Sequence, residues 1–235
     1  MFRIRILSQK ELLQIINLKK VYSQGKKDEF TAVNDISFSV KSGECFGLLG
    51  PNGAGKSTTM NCITGFYPAS QGSIIINNID VGKEPKLSRM HLGVCSQDDT
   101  LDTDFTVIDQ MTTYASYFGI NKAEAYQRSE ELLKKFHLFD KKKENVEALS
   151  GGMRRRLQVA RSLVSNPKVL ILDEPTTGLD PEVRRDLWNI IVDSREKGMA
   201  ILLSTHYMDE AERLCDRIAI LHNGNICVLL RLTVR

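Results

Sequence analysis

Three short segments of this 235-residue chain combine residue types and spacings that can do chemistry. In Gly50-Pro51-Asn52-Gly53-Ala54-Gly55-Lys56-Ser57-Thr58, glycines frame a loop that ends in Lys-Ser, after the apolar run Cys45 to Leu49 and before a helix beginning near Lys56. Glycines leave backbone N–H groups free to face one anion, and a helix N-terminus adds partial positive charge. Lys56 would reach the terminal phosphates of such a ligand and Ser57 would ligate Mg²⁺. The competing reading is a glycine-rich turn that happens to contain Lys-Ser, and the strand before and helix after favour the phosphate loop. In the second segment, Val169-Leu170-Ile171-Leu172-Asp173-Glu174, a run apolar enough for a strand buried on both faces ends in two carboxylates. The first belongs beside Mg²⁺ and the second can polarise an attacking water. If strand alternation persists to the end, the two acids point to opposite sides and hold different roles. The alternative is a polar strand end capped by Pro175. The third segment, Leu149-Ser150-Gly151-Gly152-Met153, opens a helix just before Arg154, Arg155 and Arg156. Ser150 can cap, the glycines bare the backbone, and a second anion-binding terminus results.

The elements that must position these segments alternate between strand and helix patterns, which predicts an α/β fold with a mostly parallel sheet. The predicted strands are Leu13 to Leu18, Ile36 to Val40, Glu44 to Leu49, Gly72 to Ile76, Leu92 to Ser96, Val169 to Asp173, Ala200 to Ser204 and Arg217 to His222. Asn223-Gly224 predicts a hairpin turn leading into Ile226-Cys227-Val228. Between the two halves, helices are predicted over Thr106 to Phe118, with Thr106 as N-cap, over Glu124 to Phe136, and over Met153 to Val164, stopped by Asn166-Pro167. About residues 98–165 thus form an all-helical insert in a core made of residues 11–97 and 166–228, within one domain spanning 1–230.

Composition narrows the class. With 42% hydrophobic and 26% charged residues the chain can bury a sizeable core, which excludes disorder and a small disulfide scaffold. Its most apolar runs are strand-length, short of the roughly 20 residues that span a bilayer. Met1 to Leu7 interleaves charge with apolar residues and lacks the pattern of an export signal, so the expectation is an unexported protein. The five scattered cysteines read as reduced core thiols. A net charge of +3 is weak grounds for a polyanionic partner.

Taken together, the motifs resemble those of ATP-binding cassette (ABC) ATPases, which are P-loop NTPases with a RecA-like core and an antiparallel N-terminal β part. The resemblance covers about residues 13 to 228 and implies ATP and Mg²⁺ as ligands. It assigns the whole run Asn52, Gly53, Ala54, Gly55, Lys56, Ser57 and Thr58 to the phosphates. It assigns Tyr22 to adenine, and Ser57, Gln97 and Asp173 to Mg²⁺. Glu174 would be the general base, with Lys56, Gln97 and His206 assisting at the γ-phosphate. Gly178-Leu179-Asp180 matches the loop that crosses to a partner's site, and Ser150, Gly151 and Gly152 would face the γ-phosphate held by that partner. The implied unit is a head-to-tail homodimer or paired cassette around two ATPs. Taken singly, Tyr22 reads as a packing aromatic, Gln97 as a surface amide and His206 as a satisfied strand-end histidine; His91, His137 and His222 carry no motif.

Within the family, the phrases Gln97 to Val107, Tyr117-Phe118-Gly119, Ser150 to Leu157, Asp173 to Pro181 and Thr205 to Glu212 are most similar to cassettes of bacterial type-2 exporters, and eukaryotic A-type lipid transporters share parts of them. Two positions depart from the broader pattern. Met153 stands where Gln is commonest, and after Ile226 the resemblance fades, leaving 229–235 as a tail that reads as truncated or atypical. The resemblance implies an ATPase that drives export through a transmembrane permease subunit, docked at the cytoplasmic face of the cell membrane, with the acidic segment after Gln97 near the docking region or simply a solvated loop. The rival is a soluble ABC ATPase acting on nucleic acid or ribosomes. Against it stand the short interval from Lys56 to Leu149, too short for a long coiled coil, the lack of zinc-type cysteine pairs, and the single cassette. Successive arginines at 154–156 spread around a helix rather than forming a phosphate-tracking stripe, so no direct nucleic-acid contact is expected. A P-loop kinase or GTPase leaves Ser150-Gly151-Gly152 and His206 unexplained.

Overall fold

Apolar residues alternating with polar ones build the first layer, an antiparallel sheet. Strands β1 (Glu11–Tyr22) and β2 (Phe30–Lys41) pair along their length, and β4 (Gln71–Ile76) and the two-residue β5 (Ile79–Asp80) complete the order β2-β1-β4-β5. Continuous apolar runs build the second layer. Here β3 (Cys45–Leu49), β6 (Leu92–Cys95), β7 (Val169–Asp173), β8 (Ala200–Thr205), β9 (Arg217–His222) and β10 (Asn225–Arg231) form a sheet of order β10-β9-β3-β8-β7-β6. All its pairs are parallel except β10 with β9. Every residue of β3, β7 and β8 is buried, as parallel strands covered on both faces must be. The computed structural model describes residues 10–232; the Met1 to Leu7 segment and the final 233–235 lie outside the described residues.

Two apolar cores flank the parallel sheet. One fills the space between the sheets around Leu13, Ile36, Phe46, Leu48 and Ile171, where the rings of Phe38 and Phe46 stack with centroids 4.8 Å apart. Helix α1 (Lys56–Ile63) packs there too, through Met60 and Ile63. The other core lies against the opposite face. It joins Leu170, Leu172 and Leu203 to the helices α3 (Val107–Ser116), α4 (Lys122–Lys135), α5 (Gly151–Leu163) and α6 (Pro181–Glu196). Between residues 98 and 165 the described elements are helical, apart from one isolated bridge of Thr106 with Asn145. The short helices α2 (Pro85–Arg89) and α7 (Met208–Leu214) finish the set.

Local signals fix the helix starts. The backbone N–H of Asp109 donates to Thr106 Oγ1 at 3.2 Å, so Thr106 caps α3 as expected. Helix α4 starts at Lys122, two residues before the predicted Glu124, because Asn121 Oδ1 accepts from Glu124 N at 3.0 Å. Helix α5 likewise begins at Gly151 rather than Met153, with Ser150 Oγ accepting from Met153 N at 3.3 Å. The expected tail also changes. Leu229, Leu230 and Arg231 pair with Ala219, Ile218 and Arg217 as part of β10. These residues are exposed, so the ladder holds them without the burial pattern that marks a strand in sequence. Strand β1 outruns its predicted core at both ends for a related reason, since partners on both sides carry it past the bulged stretch between Ile16 and Lys19.

All five cysteines are free, and only Cys227 is exposed. Burial pushes the Cys62 thiol up to about 11 and the Cys95 thiol up as well; Cys45 is raised by its hydrogen bond with Cys215 and by burial. Among the described residues no helix is long and apolar enough to cross a membrane.

Close packing of α5 on the sheet depends on Gly93. A Cβ there would lie 2.1 Å from the carbonyl oxygen of Ser162 in α5 and 2.8 Å from Pro167 Cγ. Gly93→Ala is therefore expected to destabilise the fold by about 1–3 kcal/mol, the usual cost of overpacking. Urea denaturation should show a lower midpoint at unchanged slope, and an unchanged midpoint would mean that β6 and α5 are not in this close contact.

Candidate functional site

The phosphate loop leaves the buried end of β3 and turns into α1. Gly53 and Gly55 hold φ of +80° and +107°, in the left-handed region that favours glycine. At Gly55 a Cβ would also lie 2.6 Å from the Ala32 carbonyl oxygen of β2, so conformation and space both demand glycine. Gly55 caps α1 without any side-chain hydrogen bond, which leaves the first-turn N–H groups of the helix available. Lys56 is buried, and its Nζ donates to the carbonyls of Gly50 at 2.8 Å and Pro51 at 3.2 Å, inside the loop it serves. Asn52, Gly53 and Ser57 are exposed at the loop surface, Thr58 is half-buried and Ala54 is buried. The predicted hairpin turn braces this loop from behind, since Gly224 N donates to Ala54 O at 3.0 Å and Asn34 N donates to Gly224 O at 2.8 Å.

Strand β7 delivers the acid pair. Asp173 faces its cross-strand partner Ser204, whose hydroxyl donates to Asp173 Oδ1. Strand geometry does not persist to Glu174, contrary to the alternation considered above. That residue adopts φ +48°, a left-handed conformation uncommon for a non-glycine residue, and its N–H turns back toward Ser204 O at 3.1 Å. The two carboxylates still separate. Glu174 is 7% exposed; its Oε1 lies 3.1 Å from His206 Nδ1 and its Oε2 accepts from Thr177 Oγ1 at 3.3 Å. His206 follows β8, and its ring rests against that of Tyr207, centroids 4.1 Å apart. As an acceptor, the carboxylate places the proton of this contact on Nδ1 and leaves Nε2 as the other ring nitrogen.

A cleft between the insert and the parallel sheet gathers Gln97, Gly151, Gly152, Glu174 and Gly178. Ser150 stands at its edge with its hydroxyl engaged in the α5 cap. The wall of this cleft does not include the phosphate loop or Tyr22. Tyr22 ends β1 opposite Phe30, half-buried, with the Tyr67 ring edge-on at 5.7 Å and Lys20 Nζ 5.1 Å from its centroid. Asp180 is exposed at the start of α6; Pro181 occupies the first turn, and the Asp180 side chain makes no capping bond.

Two buried groups escaped the sequence reading. Arg155 points into the protein, where its guanidinium meets the backbone at the ends of β6 and β7. Its neighbours Arg154 and Arg156, half-buried, also donate to carbonyls, of Glu147 and Phe136. Glu210 of α7 is buried too, and its Oε1 accepts from Thr176 Oγ1 at 2.8 Å and from Trp188 Nε1 at 3.1 Å. The three-residue spacing of Arg155, Gln158 and Arg161 is the trace the first of these leaves in the sequence.

A sequence profile of the ABC transporter family matches residues 33–177. The Nod factor export ATP-binding protein I of Ralstonia nicotianae is 45% identical over 213 residues, covering 91% of this chain and 65% of that relative, so the chain spans just under two thirds of its length. The linearmycin resistance ATP-binding protein of Bacillus subtilis is 39% identical over 218 residues, 93% of this chain and 68% of that protein. Among solved structures, an ATP-binding subunit of an ABC transporter superposes with TM-score 0.86 at 32% identity, covering 94% of this chain and 90% of the other. A dimeric cassette in a post-hydrolysis state bound to ADP and Pi gives the same TM-score at 25% identity, over 94% of this chain and 99% of that one. With the phosphate loop, the acid pair and the Ser150–Gly152 helix start on one such fold, the chain belongs to the ABC transporter family and has the fold of its ATP-binding cassettes.

Proposed function

We propose that this chain is the ATP-binding and ATP-hydrolysing subunit of an export transporter. Tyr22 stacks on adenine, while the loop Asn52 to Thr58 and Lys56 hold the phosphates. Two such cassettes close head to tail, each presenting Ser150, Gly151 and Gly152, with Asp180 nearby, to the γ-phosphate bound by the other. The dimeric relative with ADP and Pi supports the pairing of two cassettes. Lys56 supports its part through its setting, because the carbonyls that hold its ammonium belong to the loop itself and can give way to phosphate oxygens.

The single observation that carries the reading is the Glu174–His206 contact at the end of β7. In this reading Glu174 Oε1, bonded to His206 Nδ1 and with Thr177 on its other oxygen, takes a proton from water. The water oxygen forms a bond to the γ-phosphorus, the bond from that phosphorus to the β–γ bridging oxygen breaks, and ADP and phosphate leave. His206 Nε2 and Lys56 stabilise the charge on the transferred group. Ser57, Gln97 and Asp173 supply only oxygen donors, and among the described residues no group of three or more His, Cys, Asp or Glu side chains could hold a metal alone. That set fits Mg²⁺, which takes few protein ligands and completes its shell from phosphate and water. When bound, Mg²⁺ supplies charge neutralisation at the phosphates.

Export, a transmembrane permease as partner and a place at the cytoplasmic face of the membrane rest on likeness to the Nod factor export and linearmycin resistance ATP-binding proteins. Two outcomes test the reading. Glu174→Gln should keep ATP binding, lower turnover by roughly 10²–10⁴-fold, the range general-base catalysis supplies, and accumulate an ATP-bound dimer by light scattering. Ordinary turnover in that variant removes Glu174 from the role. Purified from detergent extract, the chain should bring down a membrane protein that stimulates its ATPase, whereas recovery with DNA or ribosomes would support the soluble cassette instead.

A further inference from the structure

We propose that Arg155 is a positioning residue, the clamp through which helix α5 sets the places of Gln97 and Glu174. The inference rests on the reading of Glu174 given above. Arg155 is 8% exposed and carries five N–H donors. Nε donates to Pro175 O at 3.1 Å; Nη1 donates to Ser96 O and, at 2.8 Å, to Gln158 Oε1; Nη2 donates to Asp173 O at 2.6 Å and Glu174 O at 2.9 Å. A further approach of Nη1 to Gln97 O measures 3.4 Å. All five donors are used, and none of these acceptors is a carboxylate. A buried cation is tolerated only when its hydrogen bonds are complete, so the positions of these carbonyls and the position of the guanidinium fix one another.

The backbone acceptors lie at the ends of two neighbouring strands, β6 and β7, which are the places that carry Gln97 and Glu174. Glu174 holds its left-handed φ of +48° with its backbone tied on both sides, the N–H to Ser204 and the carbonyl to Arg155 at 2.9 Å and to Thr177 N at 3.3 Å. Farther along the same face of α5, Gln158 Nε2 donates to Asp98 O at 2.9 Å and Arg161 Nη1 to Thr100 O at 2.9 Å. Side chains spaced by three residues thus carry the carbonyls of 96, 98 and 100 in turn. Because α5 starts at Ser150–Gly152, a shift of segment 96–100 or of that helix start reaches the Glu174 backbone through Arg155.

The test compares Arg155→Gln and Arg155→Lys in the full chain by amide hydrogen exchange and by steady-state ATP hydrolysis. Arg155→Gln should raise exchange in 96–100 and 173–177 and leave 50–58 unchanged. It should lower kcat by roughly 10²-fold, as a misplacement near 1 Å does, with KM within about threefold. Arg155→Lys, with three donors on a flexible stem, should recover part of the lost kcat and exchange protection, and it carries the test if the Gln variant does not fold. Unchanged exchange in both segments, a rise spread over the whole chain, or a KM effect at unchanged kcat would overturn the proposal. If the unaltered chain hydrolyses no ATP, the functional reading fails, and the exchange pattern alone decides the clamp.

Discussion

Burial of the central parallel strands on both faces is the constraint from which the site follows. Strands β3, β7 and β8 have no solvent-facing side, so their polar groups must emerge at a strand end. Parallel pairing puts all the carboxyl ends at one rim, and the order β3-β8-β7-β6 sets four of them in a row. The phosphate loop, then His206, then the Asp173–Glu174 pair, then Gln97 follow those four ends. Residues far apart in sequence therefore become neighbours without any local motif directing them to each other, as in other open α/β sheets that bind ligands beyond the carboxyl ends of their strands.

A rim of strand ends has no ladder beyond it to hold the chain, so the structure supplies other restraints there. Behind the phosphate loop these are backbone contacts, with Gly224 bonded to Ala54 and Gly55 pressed toward the Ala32 carbonyl. Beyond β7 they are side chains. Ser204 bonds to Asp173, His206 and Thr177 hold the Glu174 carboxylate, and Arg155 holds its carbonyl. Glu210 adds a buried junction by joining Thr176 to Trp188, which fastens the turn after β7 to α6 and α7. The uncommon backbone of Glu174 is tolerable in this setting, where several partners determine one conformation.

What could be read from sequence divides along the same line. The loop from Gly50 to Thr58, the run into Asp173 and the caps Thr106 and Ser150 are local patterns, and each stands where its residues place it. Asn223-Gly224 was legible as a turn, but its bond to Ala54 crosses more than 160 residues and leaves no mark in either stretch. Arg155 read as one arginine among three on a helix surface, because nothing in 154–156 tells which of them meets the ends of β6 and β7. The left-handed Glu174 was hidden for a similar reason. Its conformation is held by bonds from Ser204, Arg155 and Thr177 rather than by the residue type, which prefers otherwise.

The two kinds of restraint also differ in what they permit. Where glycines bring backbone against backbone, as at Gly55 and Gly224 beside Ala32, there is no side chain to re-aim, and any slide meets a carbonyl within 3 Å of where a Cβ would stand. The phosphate loop and the antiparallel sheet carrying Tyr22 are thereby locked as one body. The tie between α5 and the strand ends runs instead through the long side chains of Arg155, Gln158 and Arg161, each buried and each bonded to a backbone carbonyl of segment 96–100. The half bearing the phosphate loop is thus held by backbone against backbone and the half bearing Ser150–Gly152 by side chains. Glu174 stands at the seam, its N–H bonded to Ser204 of the sheet and its carbonyl to Arg155 of α5.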